Sequence, residues 1–64
     1  EDFMLAHRIQ LELLSMGGPQ AFADLLVAAI AINRDEEIIT RDEDFMYIQE
    51  AAKRLGYSMK LKLS

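Results

Sequence analysis

The chain has 64 residues and a net charge of −4, so it is one domain at most and lacks the broad basic surface that binds nucleic acid by charge alone. It has no cysteine and one histidine, which excludes disulfides, thiolate zinc sites and multi-histidine metal sites within one chain. Apolar residues make up 52% of the sequence and exclude disorder by composition. No apolar stretch is long enough to span a bilayer and no signal peptide is visible, so we expect a cytoplasmic protein with no membrane partner.

Two helices are predicted in the first half of the chain. Residues 3–15 carry apolar side chains at helical spacing, and the run Gly17-Gly18-Pro19 then breaks the helix. Residues 20–34 form the second helix, in which every residue of 21–32 except Asp24 is apolar. A helix that is apolar all round is a buried one, so we expect this helix to lie in the centre of the fold.

A strand, a third helix and a second strand follow. Residues 37–40 are mostly β-branched and bounded by charges, which favours a short buried strand. The helix at 44–55 has apolar side chains every three or four residues, and Gly56 stands where a glycine commonly ends a helix. In residues 57–63, apolar side chains alternate with lysines, which is typical of a strand with one covered face and one wet face.

The predicted element order, α-α-β-α-β, is that of an α/β fold. Short turns around the strand–helix–strand unit predict that the two strands are parallel. Parallel sheets ordinarily have several strands and helices on both faces, so two strands alone are expected to need further structure. We therefore expect residues 1–64 to be a single partial domain, completed by a missing N-terminal half or by another chain.

Three aspartates are candidates for a functional site. Asp24 is the one charged residue in the apolar run 21–32, and burying a lone carboxylate is costly unless it is hydrogen-bonded or binds a metal. Asp42 and Asp44 follow the first strand, at the kind of position where open α/β sheets bind ligands. Carboxylate oxygens suit Mg²⁺ or Mn²⁺ better than zinc, and Thr40 at the strand end could hydrogen-bond a metal-bound water or a phosphate.

Each candidate also has a structural interpretation. Asp24 can be a first-turn acid at the positive end of the helix dipole. Asp42 or Asp44 can cap the third helix. Thr40 can be an ordinary β-branched strand residue. Spacing alone leaves these alternatives open.

The run from Ala23 to Ala31, followed by the run from Ile38 to Phe45, resembles the C-terminal half of a PIN domain. This is the nuclease fold of VapC-type toxins and of several RNA-processing endonucleases. Its pattern is an aspartate that opens an apolar helix, a strand that ends in Thr-x-Asp, and an acid and a phenylalanine that open the next helix. The resemblance covers residues 17–62 and implies a three-layer domain with a parallel sheet.

The resemblance implies a Mg²⁺- or Mn²⁺-dependent ribonuclease in which clustered carboxylates hold the metal that promotes hydrolysis of RNA phosphodiester bonds. Asp24 matches the third of the family's four acids and Asp42 the fourth. Asp44 matches an alternative ligand, and Thr40 matches the hydroxyl beside the metal. The implied partners are RNA, bound through the intact domain, and a protein inhibitor.

The family's first two acids have no counterpart in this sequence, so about half of the fold and two of the four ligands are present. We therefore expect the isolated chain to have little or no activity. The alternative function is a non-catalytic interaction module, a homo-oligomer that buries the apolar helix 21–32. A third interpretation, part of a flavodoxin-like or receiver-like domain, depends on fold analogy alone.

Overall fold

The computed structural model describes all 64 residues and contains the predicted elements in the predicted order. The helices and strands are α1 (Asp2–Met16), α2 (Phe22–Arg34), β1 (Glu37–Thr40), α3 (Asp44–Arg54) and β2 (Lys60–Leu63). The chain is a small α/β fold, which confirms the predicted class.

A glycine in the left-handed backbone conformation follows α1, and another follows α3. Gly17 has a φ of 79°, and its N–H donates to the carbonyl of Leu14, while the N–H of Gly18 donates to the carbonyl of Leu13. This arrangement satisfies carbonyls that the helix end leaves free. Gly56, with a φ of 91°, follows α3 as its position in the sequence predicted.

The two strands are parallel, as predicted, and Ile38 lies opposite Leu61 in the ladder. On this inner face of the sheet, Ile38 is buried and Leu61 is half-buried beneath the helices. The outer face carries four exposed side chains, those of Glu37, Ile39, Lys60 and Lys62. Because no part of this chain covers the outer face, the fold has two layers, one of helices and one of strands.

β2 is shorter than predicted, because residues 57–59 precede the strand. Glu37, the first residue of β1, already pairs with Lys60, so a strand residue before Lys60 would have no ladder partner. Met59 is nevertheless buried, and its carbonyl accepts a hydrogen bond from the side-chain amide of Gln49 at 2.8 Å. This contact fixes the segment that leads from α3 into the sheet.

Fourteen buried apolar side chains form one core, and all three helices contribute to it. The accessible surface of the chain is 4202 Å². A compact monomeric protein of this mass has roughly 4200 Å². The radius of gyration is 10.2 Å, close to the value of about 10.7 Å expected for a folded domain of this length. The chain thus reaches the compactness of a small domain by itself.

The expectation that α2 is buried all round is wrong for this fold. Leu25, Ala28 and Ala29 are fully buried, but Val27 is 51% exposed and Ala23, one turn earlier, is exposed beside it. The reason is that α1, α3 and β1 cover only one side of the helix. The opposite side remains an apolar surface.

Candidate functional site

The carboxyl end of β1 is organised by two consecutive side-chain hydrogen bonds. The Thr40 Oγ1 accepts the N–H of Asp42 at 3.0 Å, and the Asp42 Oδ1 accepts the N–H of Asp44 at 2.9 Å. The chain turns here from the strand into the first turn of α3, where Phe45 N–H donates to the carbonyl of Asp42 at 3.2 Å. The N-cap position of α3 is Glu43, so neither Asp42 nor Asp44 occupies it as the sequence suggested. Asp42 instead closes the turn before the helix, with one carboxylate oxygen engaged.

Asp24 lies in the first turn of α2 and is half-buried. Its carboxylate takes part in none of the side-chain hydrogen bonds or ion pairs of the chain. The positive end of the helix dipole stabilises a charge at this position. This location agrees with the interpretation of Asp24 as a first-turn acid at the positive end of the helix dipole. Both carboxylate oxygens remain free to bind a ligand.

Asp24 and the Thr40–Asp44 segment belong to elements that follow each other in the chain. Only Asp35 and Glu36 separate α2 from β1, and the two elements pack against each other. No side-chain hydrogen bond joins Asp24 to the Thr40–Asp44 segment.

The three aspartates do not form a complete metal site. No three acidic or histidine side chains of the chain lie close enough together to hold one ion. The donors have the oxygen chemistry that Mg²⁺ and Mn²⁺ prefer, but their arrangement in this chain alone fits such an ion only in part. None of Asp24, Thr40, Asp42 or Asp44 lines a pocket of the structure.

A shallow apolar groove between α2 and β1 was not predicted from the sequence. Its walls are Val27, Ile30, Ala31 and Ile38, with Glu36 and Glu37 at the rim, and its volume is about 370 Å³. The signal that could have revealed it is the number of apolar side chains on α2, which exceeds what one buried helix face needs. We call this feature the α2–β1 groove.

An ion pair also joins α2 to β2, which the sequence did not reveal. The Lys60 Nζ lies 3.1 Å from the Asp35 Oδ1, so the start of β2 is linked to the residue that ends α2. Both side chains are more than half exposed, so the pair contributes little to stability. Its geometry follows from the parallel register, which a single sequence does not specify.

Comparison with known proteins finds no matching family model, no matching curated protein and no matching solved structure. None of the three helices combines the length and the apolar character needed to cross a membrane.

Proposed function

We propose that this chain is the part of a PIN-type, metal-dependent ribonuclease domain that carries two of its acids, Asp24 and Asp42. The observation that supports the proposal is that Asp42 directly follows the carboxyl end of a parallel strand, while Asp24 lies in the first turn of the helix that precedes this strand. The carboxyl end of the strands is the edge at which α/β sheets bind ligands. The residue pattern that resembles PIN domains coincides with this edge.

In the complete site, Asp24 and Asp42 would hold Mg²⁺ or Mn²⁺, with Asp44 as a further ligand. Bound metal would supply activation of water and stabilisation of the leaving oxygen during hydrolysis of RNA. Thr40 positions Asp42, because its Oγ1 accepts the Asp42 N–H and so fixes the turn. The remaining acids and the third layer of the domain would come from a missing half or from another chain. Either of these could pack against the outer face of the sheet, which this chain leaves uncovered.

Binding of Mn²⁺ to the folded chain, followed by NMR, tests this proposal. A paramagnetic ion held between the two aspartates broadens the amide signals of the first turn of α2 and of residues 40–44 together. Asp24→Asn and Asp42→Asn should each abolish the broadening at both segments. Asp35→Asn is the matched control, since it removes the same charge at the opposite end of α2. Broadening of only one segment, or of neither, would contradict the proposal.

The second candidate function is an interaction module that forms a homo-oligomer. The observation that favours it is the exposed apolar side of α2, where Val27 is 51% exposed beside the α2–β1 groove. Contiguous apolar surface of this kind marks interaction sites. If α2 forms the interface, replacement of Val27 by Glu should shift the chain to a monomer in sedimentation experiments, and an unchanged oligomeric mass would exclude α2 as the interface. A monomeric original chain would exclude this candidate.

A further inference from the structure

The free edge of β1 presents unpaired backbone groups. The sheet contains only β1 and β2, so each strand has one neighbour. The carbonyl of Thr40 accepts the N–H of Ser64 at 3.0 Å, on the β2 side. Because successive residues of a strand direct their N–H and C=O groups to alternate sides, those of Glu37 and Ile39 point to the free edge. Such an edge is a template for another strand.

The two free edges of the sheet differ in their side chains. β2 carries Lys60 and Lys62, and lysines on an edge strand oppose pairing with other chains. β1 carries Ile39 instead, with 64% of its surface exposed. The unprotected edge is therefore that of β1.

We propose that a second copy of this chain pairs with the free edge of β1 in antiparallel orientation, with Ile39 opposite Ile39 of the second copy. This inference deepens the second candidate function, on which it rests, by naming the interface. The two-fold axis then passes between the two Ile39 residues, and the interface is isologous. Glu37 of each copy then comes opposite Arg41 of the other, the residue that directly follows β1, because the two stand two positions before and two positions after Ile39.

Hydrogen-bond geometry and charge select this register. In an antiparallel ladder, residues directly opposite each other are either both hydrogen-bonded or both not, so Ile39 must face Glu37, Ile39 or Arg41 of the other copy. Pairing with Arg41 or with Glu37 sets the exposed Ile39 against a charged side chain. Only the register about Ile39 joins the exposed apolar side chains of the two outer faces, and it brings Glu37 opposite Arg41 on both sides of the axis, where opposite charges across strands are stabilising.

Pairing of two copies would give the sheet enough strands to be stable. Two strands become four, in the order β2–β1–β1–β2, and a sheet of that size with one covered face is stable where two strands alone are marginal. Two residues of β1, Glu37 and Ile38, also line the α2–β1 groove. Asp42 of one copy and Glu36 of the other lie beyond the paired residues, where the two chains turn away from each other.

Sedimentation equilibrium of the whole chain over a range of concentrations tests the pairing. The expected species is a dimer of about 14.6 kDa, twice the 7.3 kDa of one chain. Arg41→Glu places two like-charge pairs across the axis and should raise the dimer Kd about tenfold or more. Lys62→Glu is the matched control, because it makes the same change of net charge on the same outer face, but on β2. It should leave the Kd unchanged.

A mixing experiment provides a positive result that loss of folding cannot imitate. Glu37→Arg alone should weaken the dimer as Arg41→Glu does. When the two single variants are mixed, opposite charges meet again at both positions, so a heterodimer should form. The double variant Glu37→Arg/Arg41→Glu should likewise recover the dimer. Circular dichroism checks that each variant retains its helices.

Three outcomes would overturn the strand pairing. If the chain does not dimerise at any accessible concentration, the second candidate function fails as well. A dimer that persists in Arg41→Glu but dissociates in Val27→Glu would place the interface on α2 and keep the second candidate. Mixed single variants that both remain monomeric would exclude the Glu37–Arg41 pairs.

Discussion

The carboxylate of Asp42 accepts a hydrogen bond from the backbone N–H of Asp44 at 2.9 Å and thereby connects the end of β1 to the first turn of α3. The residue that the family resemblance assigns to a metal thus already has a structural role. The two roles are compatible, because a carboxylate has a second oxygen. They also predict different effects of substitution.

Replacement of Asp42 separates these roles. Asp42→Ala removes the acceptor and should lower the free energy of unfolding by about 1 kcal/mol, as for a lost helix cap. Asp42→Asn keeps an acceptor oxygen, so it should lower the free energy of unfolding by less than about half as much as Asp42→Ala. It should also weaken binding of Mn²⁺. Urea denaturation measures the stabilities. Equal stability of the Ala variant and the original chain would show that the hydrogen bond does not secure α3.

Adjacent leucines on α1 test the orientation of that helix. Leu13 is fully buried and Leu14 is 55% exposed. Leu13→Ala should cost about 2–5 kcal/mol, which approaches the whole stability of a domain of this size. Leu14→Ala is the control and should change the stability by no more than about 0.5 kcal/mol. Thermal and urea unfolding give both values, and similar losses at the two positions would mean that α1 packs in another orientation.

The two adjacent glycines after α1 differ in backbone conformation. Gly17 has a positive φ of 79°, whereas Gly18 does not, and open space surrounds the Cβ position of each. Gly17→Ala should therefore destabilise the chain by about 1 kcal/mol through backbone strain alone. Gly18→Ala should be nearly neutral. A reversed order of the two melting temperatures would contradict the left-handed end of α1.

The isolated chain should not cleave RNA. It has no group of three acidic or histidine side chains that could hold a metal ion, so it cannot assemble the clustered site that the proposed chemistry requires. Incubation of a labelled single-stranded RNA with the chain and Mn²⁺ tests this expectation. Cleavage that disappears in Asp24→Asn would show that the chain is complete enough to act alone.

The order and type of the elements could be predicted from local signals. Gly17 and Gly56 mark the ends of α1 and α3, and the β-branched run before Thr40 marks a strand. These signals depend on backbone conformation and side-chain shape, which act within a few residues. The parallel pairing followed from the short strand–helix–strand connection.

The exposure of α1 and α2 could not be predicted, because it depends on which elements cover them. In α1, the apolar side chains at Leu11 and Leu14 belong to the same broad stripe as those at Ile9 and Leu13, yet only the latter two are buried. The apolar excess of α2 was interpreted as burial on all sides. In this fold it produces an exposed surface at Val27 instead.

The candidate site was predicted as a set of residues but not as an arrangement. The position of Asp42 after the carboxyl end of β1 followed from the element order. The sequence favoured Asp42 or Asp44 as the N-cap of α3, whereas Glu43 occupies that position. The difference arises from the turn that Thr40 and Asp42 form together before the helix.

The central claim is that Asp24 and Asp42 bind the same ion, and a double-mutant cycle on Mn²⁺ affinity tests it most directly. Electron paramagnetic resonance of free Mn²⁺ gives the affinities of the original chain, Asp24→Asn, Asp42→Asn and the double variant. We predict that each single substitution weakens binding about tenfold and that the double variant binds about as weakly as either single one, since the two carboxylates act together. Independent losses that add, or a single substitution without effect, would show that the two aspartates do not share an ion.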